Sequence, residues 1–122
     1  KFVANFIGDA NVVECKIINK SFNSYNLKIA EMHITVKSDK DLKNTISVAL
    51  RPEKIFIKRE GNENCIHATI NNASFVGSSY QYILNSEAGK LYVVLGDTND
   101  IFKVGEKVFL SINDQDVIIL ND

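Results

Sequence analysis

Cys65 and His67 stand two residues apart in a strand-like run, so on a strand they share a face opposite Ile66, Ala68 and Ile70. A thiolate and an imidazole so placed are half of a tetrahedral metal site, and His33 or Cys15 would have to converge on them to complete it. No local spacing supplies that second half, and the pair reads as ordinary strand residues. Lys16 beside Cys15 points to the opposite face on a strand and no Lys or Arg neighbours Cys65, so no cation favours a thiolate and nucleophilic chemistry is not expected. Cys15 and Cys65 are too few for a disulfide framework and read as reduced, buried small hydrophobes. Each histidine falls on a polar strand face. The remaining candidates are carboxylates. From Glu87 to Asp122 there are seven acidic residues against three basic ones, a local balance of -4. Asp97, Asp100, Asp114 and Asp116, with Tyr92 or Phe109 as a ring face, have the chemistry to surround a cationic amine. A solvated acidic surface is the plainer alternative.

Phosphate chemistry is missing from the motifs. No G-x-x-x-x-G-K-[ST] loop occurs, and the glycines at 8, 61, 77, 89, 96 and 105 never cluster. No catalytic, cofactor-binding or metal-binding residues are therefore assigned. Phe75, Tyr80, Tyr82 and Tyr92 could stack on bases, but only Arg51 and Arg59 are arginines and no basic stripe crosses the aromatics. Lys37, Lys40 and Lys43 share their loop with Asp39 and Asp41. Lys+Arg 14 against Asp+Glu 15 leaves a formal charge of -1, so no global field draws the chain to nucleic acid or anionic lipid. No apolar run approaches the roughly 18 residues that would span a bilayer.

The elements that must position these groups are strands. Val13, Cys15 and Ile17 alternate with Glu14 and Lys16; Tyr25, Leu27 and Ile29 alternate with Asn26 and Lys28; Met32, Ile34 and Val36 alternate with His33 and Thr35. The same period of two returns in 46–50, 55–57, 66–70, 80–84, 91–95, 108–112 and 117–120, with polar clusters between. This is the pattern of an all-β chain: a small antiparallel OB-like barrel, with residues 11–50 as a partly separate first half. No internal repeat is read. Residues 113–116 read as a closing hairpin that returns 117–120 against 107–112. Only the start departs from the period. Phe2, Val3, Phe6 and Ile7 fall on one helical face with Gly8 at the C-cap position, which predicts a short N-terminal helical remnant.

Three segments carry a resemblance. Phe2-Val3-Ala4-Asn5-Phe6-Ile7-Gly8, then Arg51-Pro52-Glu53, then Ala73-Ser74-Phe75-Val76-Gly77, in that order and spacing, resemble the C-terminal "transport-associated OB" (TOBE) domain of ATP-binding subunits of bacterial ABC importers. The likeness is greatest to the spermidine/putrescine importer. The resemblance divides the chain into residues 1–10, the end of a linker helix from an ATPase domain, and 11–122, the TOBE domain. It implies an accessory and regulatory role in a parent that couples ATP hydrolysis to uptake, with ATP and Mg bound in the ATPase domain and no cofactor here.

The implied partners are a second copy of the subunit and, through the parent, the importer's membrane subunits. Nucleic acid and direct membrane insertion are not implied, and the expected location is the cytoplasmic face of the membrane. Arg51, Pro52 and Glu53 match the motif between the two parts of the domain. Pro52 is expected to turn the chain while Arg51 and Glu53 bond backbone or each other. Phe75, Tyr80 and Tyr82 are the candidate interface anchors, with core packing as the alternative for at least one. Polyamine sensing by the four aspartates would suit such a parent. Two other classes stay open: an oxyanion-binding domain of related fold and a nucleic-acid-binding OB module.

Overall fold

The first departure from expectation is at the start. Gly8 and Asp9 both have positive φ, 57° and 64°, which makes a tight two-residue hairpin turn of the kind that joins twisted antiparallel strands. The turn joins β1 (Ala4–Ile7) to β2 (Ala10–Ser21), with Ile7 opposite Ala10 and Ala4 opposite Val13. The helical remnant is therefore corrected to a strand over Ala4–Ile7. A left-handed glycine serves a helix C-cap and a hairpin turn equally, and four residues cannot sustain a helix against a strand ladder. The computed structural model describes residues 4–61, 63–96 and 99–120; Phe2 and Val3 lie outside the described residues.

The other strands are β3 (Ser24–Ile29), β4 (Met32–Lys37), β5 (Thr45–Leu50), β6 (Phe56–Lys58), β7 (Ile66–Val76), β8 (Ser79–Ser86), β9 (Gly89–Leu95), β10 (Lys107–Ser111) and β11 (Val117–Leu120). They form two antiparallel sheets in an OB-like, all-β architecture. One has the order β11-β5-β2-β3-β4, with β1 added to β2; the other has the order β6-β10-β7-β8-β9. Residues 4–50 do form their own sheet, but they complete it with β11. That corrects the expected closing hairpin. Asp114–Asp116 is a 3-10 turn that sends β11 across to β5, where Val117 faces Leu50 and Ile119 faces Val48.

The two sheets are copies of one plan. Leu27 sits between Ile17 and Ile34, as Leu84 sits between Ile70 and Leu91. Val48 sits between Val13 and Ile119, as Leu110 sits between Ile66 and Ile57. A register shift follows Ile17 in β2 and Ile70 in β7. Each half then makes a 3-10 turn, Pro52–Lys54 or Asp114–Asp116, and hands its last short strand to the other half's sheet. The structure is thus internally duplicated with exchanged final strands. The duplication lies in register and strand order, and only the apolar type of the core positions repeats in sequence, which is why no repeat is legible there.

One core fills the space between the sheets. Val13, Cys15, Leu27, Ile29, Val48, Leu84, Leu91 and Val93 are wholly buried, and burial on this scale supplies the main drive for folding. Each half also buries a tyrosine whose hydroxyl ties down a long loop. Tyr25 Oη donates to the Lys40 carbonyl (2.7 Å) and accepts from the Leu42 N–H (3.0 Å), and Tyr82 Oη accepts from the Phe102 N–H (3.1 Å). Leu42 and Phe102 are themselves core residues.

Candidate interaction surface

The Arg51-Pro52-Glu53 segment is a turn between sheets. Arg51 is extended (φ -72°, ψ 136°), Pro52 opens the 3-10 turn and is buried, and the Lys54 N–H returns to the Arg51 carbonyl at 3.0 Å. Proline suits this place because its fixed φ and missing donor cost nothing at the first position of a helical turn. The turn packs on β9. Its counterpart, Asn113-Asp114-Gln115, starts from φ -73° and ψ 143° and closes with the Asp116 N–H on the Asn113 carbonyl at 2.9 Å. Pro52 stands at the first position of the turn. Arg51 and Glu53 do not act as expected: both side chains are exposed, and among the described residues neither engages a partner.

The three aromatic anchors separate. The β7–β8 hairpin extends beyond the core, and Phe75 near its tip is 56% exposed, with its ring 5.2 Å from that of Tyr80. Tyr80 is half-buried and stacks on Tyr82 at 5.9 Å. Tyr82 is 0% exposed and lies edge-on to Phe102. As an exposed anchor Tyr82 is corrected to a core residue; Phe75 and the free side of Tyr80 remain on the surface.

Among the described residues, Asp100 does not gather with Asp114 and Asp116 into one cage. Asp100 is taken up by Arg59 at 2.8 Å, and the same guanidinium bonds Glu106 and the Ile101 carbonyl (3.0 Å) while lying over the Phe102 ring. The Lys103 N–H and then Arg59 hold the Glu106 carboxyl below its ordinary value. Asp114 lies in the second 3-10 turn and lines a groove of about 560 Å³ that it shares with Lys37 and Lys40, cations that oppose a polyamine there. Asp116 is on the same turn, and Asp97 lies outside the described residues.

Cys65 is buried just ahead of β7, whereas His67 is exposed and packs edge-on against Phe109 at 4.9 Å. The two do not share a wet face, because the alternation begins at Ile66 and not at Cys65. Among the described residues no three His, Cys, Asp or Glu side chains gather in a metal-holding group. Both cysteines are buried and outside any disulfide. Burial, reinforced by the Glu14 carboxylate, pushes the Cys15 thiol up to about 12.

Two features went unread in the sequence. Asn11, 1% exposed in β2, reaches the opposite sheet's edge strand: its Nδ2 donates to the carbonyls of Leu50 (3.0 Å) and Tyr92 (2.9 Å), and its Oδ1 accepts the Tyr92 N–H (2.8 Å). The second is Phe22, 95% exposed at the tip of the β2–β3 hairpin with φ 62°. The only available signals were an asparagine breaking an apolar run and an aromatic inside a polar turn.

Two small antiparallel sheets around a shared core define an all-β, OB-like domain. Residues 48–120 match the family model described as "TOBE domain", and the chain belongs to that family. It is 22% identical over 98% of its length to "Fe(3+) ions import ATP-binding protein FbpC" of Agrobacterium fabrum and 25% identical over 99% to the protein of that name in Fusobacterium nucleatum. The matches cover 34% and 33% of those proteins, so the chain spans about a third of the relatives' length. Among solved structures it resembles the cytoplasmic molybdate-binding protein ModG with molybdate bound, at TM-score 0.73 and 11% identity, covering 93% of this chain and 96% of that one. That likeness is one of fold. Among the described residues no helix is long and apolar enough to cross a membrane.

Proposed function

We propose that this domain is the accessory, contact-making part of the ATP-binding subunit of an ABC importer, where it sets how readily two such subunits approach and close. The observation that carries the reading is the alignment of nearly the whole chain with a third of proteins named as ATP-binding importers, over a TOBE-matched core. The surface agrees with it: Arg51 and Glu53 are exposed beside a buried proline, and Phe75 is presented on a protruding hairpin. Such a parent would bind ATP and Mg in its ATPase domain, and its partners would be a second copy and the membrane subunits at the cytoplasmic face. For the cargo, the relatives' names favour ferric iron over the spermidine or putrescine expected from the sequence.

The test is the coding sequence in its genome. A Walker A loop and an ABC signature in the same reading frame are expected. A frame that encodes this domain joined to no ATPase segment overturns the proposal.

A further inference from the structure

Lys16 and Lys28 stand directly opposite each other on β2 and β3, and His33 of β4 faces Lys28 from the other side. Thr45 of β5 continues the row beyond Lys16. Residues paired in register share a face. The alternating residues Leu27, Ile29, Met32 and Ile34 are buried, so this row points away from the core. Like charges directly opposite one another destabilise a sheet. Among the described residues neither lysine stands within ion-pair distance of a carboxylate. Glu14, two residues before Lys16 on the same face, lies opposite Ser47 instead.

The duplicated half shows that the fold does not need this pair. The places equivalent to Lys16 and Lys28 are held by Thr69 and Asn85, each one residue from its core neighbour, Ile70 or Leu84, as the lysines are from Ile17 and Leu27. Thr69 and Asn85 also face each other, and both are neutral. A repulsive pair kept where a neutral one serves the sheet is a reason to look for what it binds, since sites of function are where stability is given up.

The rest of the face suits the same ligand chemistry. Asn19, Asn26 and Thr35 form the next row towards the hairpin tip, and Lys37 follows on β4. His33 Nδ1 lies 3.3 Å from Asn26 Oδ1, which steadies the imidazole beside Lys28. Past Glu14 these outward positions carry ammonium groups, an imidazole, amides and hydroxyls, with no carboxylate among them. They include no arginine, no phenyl ring and no aliphatic side chain either. A single-stranded nucleic acid would call for stacking faces, and a lipid surface for apolar side chains to insert. Carboxylates call only for ammonium, N–H and O–H donors.

We propose that the outer face of β2, β3 and β4 is a docking surface for an acidic segment of another protein, with Lys16 and Lys28 taking its carboxylates and His33 and Asn26 beside them. The partner is not a second copy of this chain, and the inference does not depend on the importer reading. Contact through exposed lysines is salt-sensitive and sets the rate and specificity of the encounter more than its strength.

Amide NMR of the 122-residue chain, titrated with a short polyglutamate peptide at low and at physiological salt, tests it. Shifts should gather on Lys16, Lys28, His33 and their strand neighbours and shrink as salt is added. Lys28→Glu should weaken binding about tenfold or more and yet melt higher than wild type, because the new carboxylate lies between Lys16 and His33. Lys28→Gln should also weaken binding and melt no lower than wild type, and Lys107→Gln on the other sheet should leave binding unchanged. Shifts spread evenly over all the lysines, a Lys28→Glu chain that binds like wild type, or a lower melting temperature in both Lys28 variants overturns the proposal. So does tighter Lys28-dependent binding of an oligothymidylate or of phosphatidylglycerol vesicles, and so does self-association of the chain that Lys28→Glu abolishes.

Discussion

The side chain of Asn11 pairs with the backbone of Tyr92 as a neighbouring strand would, accepting its N–H at 2.8 Å and donating to its carbonyl at 2.9 Å, and so joins β2 of one sheet to the edge of the other. Asn64 does the same in reverse. Its Oδ1 accepts the N–H of His33 on edge strand β4 at 2.6 Å, and its Nδ2 donates to the His33 carbonyl at 3.1 Å. One edge of each sheet, β9 and β4, is thus closed at one residue by an amide from the other half, which also blunts that edge against pairing with other chains. The wholly buried Asn11 is the stronger case. Asn11→Ala would leave the Tyr92 N–H and two carbonyls without its amide; the Tyr92 groups are only part-buried and can turn to water, so the loss should be about 1–3 kcal/mol, that of one orphaned buried group. Denaturant titration is the measurement. Asn11→Asp should be at least as harmful, because a buried carboxylate would face two carbonyl oxygens.

The aromatic trio should divide under substitution as it divides in space. Tyr82→Ala empties a core site and is expected to cost about 3–5 kcal/mol, while Tyr82→Phe, which removes only the acceptor of the Phe102 N–H, should cost about 1–3 kcal/mol. Phe75→Ala, on the exposed hairpin, should stay within about 0.5 kcal/mol of wild type. Thermal melts of the three variants check the order.

Tyr82 also shows what the sequence could convey. Its strand, its alternation with Ile83 and its neighbours in the core follow from the period of two, as do nearly all the strands and turns. Its burial does not, because Phe75 and Tyr82 look alike until the register shift after Ile70 and the length of the hairpin are known. The path of β11 was hidden for a similar reason. Residues 113–116 are polar and short enough for a hairpin, and only the 3-10 geometry, repeated from the Pro52 turn, sends the strand across to β5. Asn11 and Asn64 read as polar residues near strand starts, since their partners are 81 and 31 residues away.

The Pro52 turn separates structural from surface roles within one tripeptide. Because Asp114 supports the same backbone in the other half, Pro52→Ala should keep the fold and cost about 0.5–2 kcal/mol, from lost pre-organisation and a smaller buried ring. Arg51→Ala and Glu53→Ala should each leave stability within about 0.5 kcal/mol. If instead either lowers stability as much as Pro52→Ala does, these side chains act inside the domain rather than at a partner.

Acid should loosen the loop before β10 through Glu106. Its folded carboxyl is held below the ordinary 4.5, first by the Lys103 N–H and then by Arg59. The unfolded chain therefore takes up this proton more readily than the folded one. The stabilisation is whole above the ordinary value and is lost as pH falls through the lowered one. In Glu106→Gln this part of the acid sensitivity should disappear, and carboxyl NMR should place the Glu106 midpoint below the ordinary glutamate value. A Glu106 midpoint at that ordinary value would show that Arg59 and the Lys103 N–H do not hold the carboxylate in solution.

Cys15 gives the opposite dependence. The buried thiol keeps its proton to about 12, whereas an exposed one releases it near 9.0. The unfolded state therefore sheds a proton first, so stability should fall as pH rises from about 9 towards 12. The native thiol should also be inert to a thiol reagent at neutral pH, labelling only as fast as the domain opens. Cys15→Ser should flatten the alkaline decline at the expense of stability, since a hydroxyl in this buried site would have the Ile46 carbonyl, now 3.6 Å from the sulfur, to receive its hydrogen. Rapid native labelling of Cys15, or an alkaline decline that persists unchanged in Cys15→Ser, would show that the thiol is not held in the core as described.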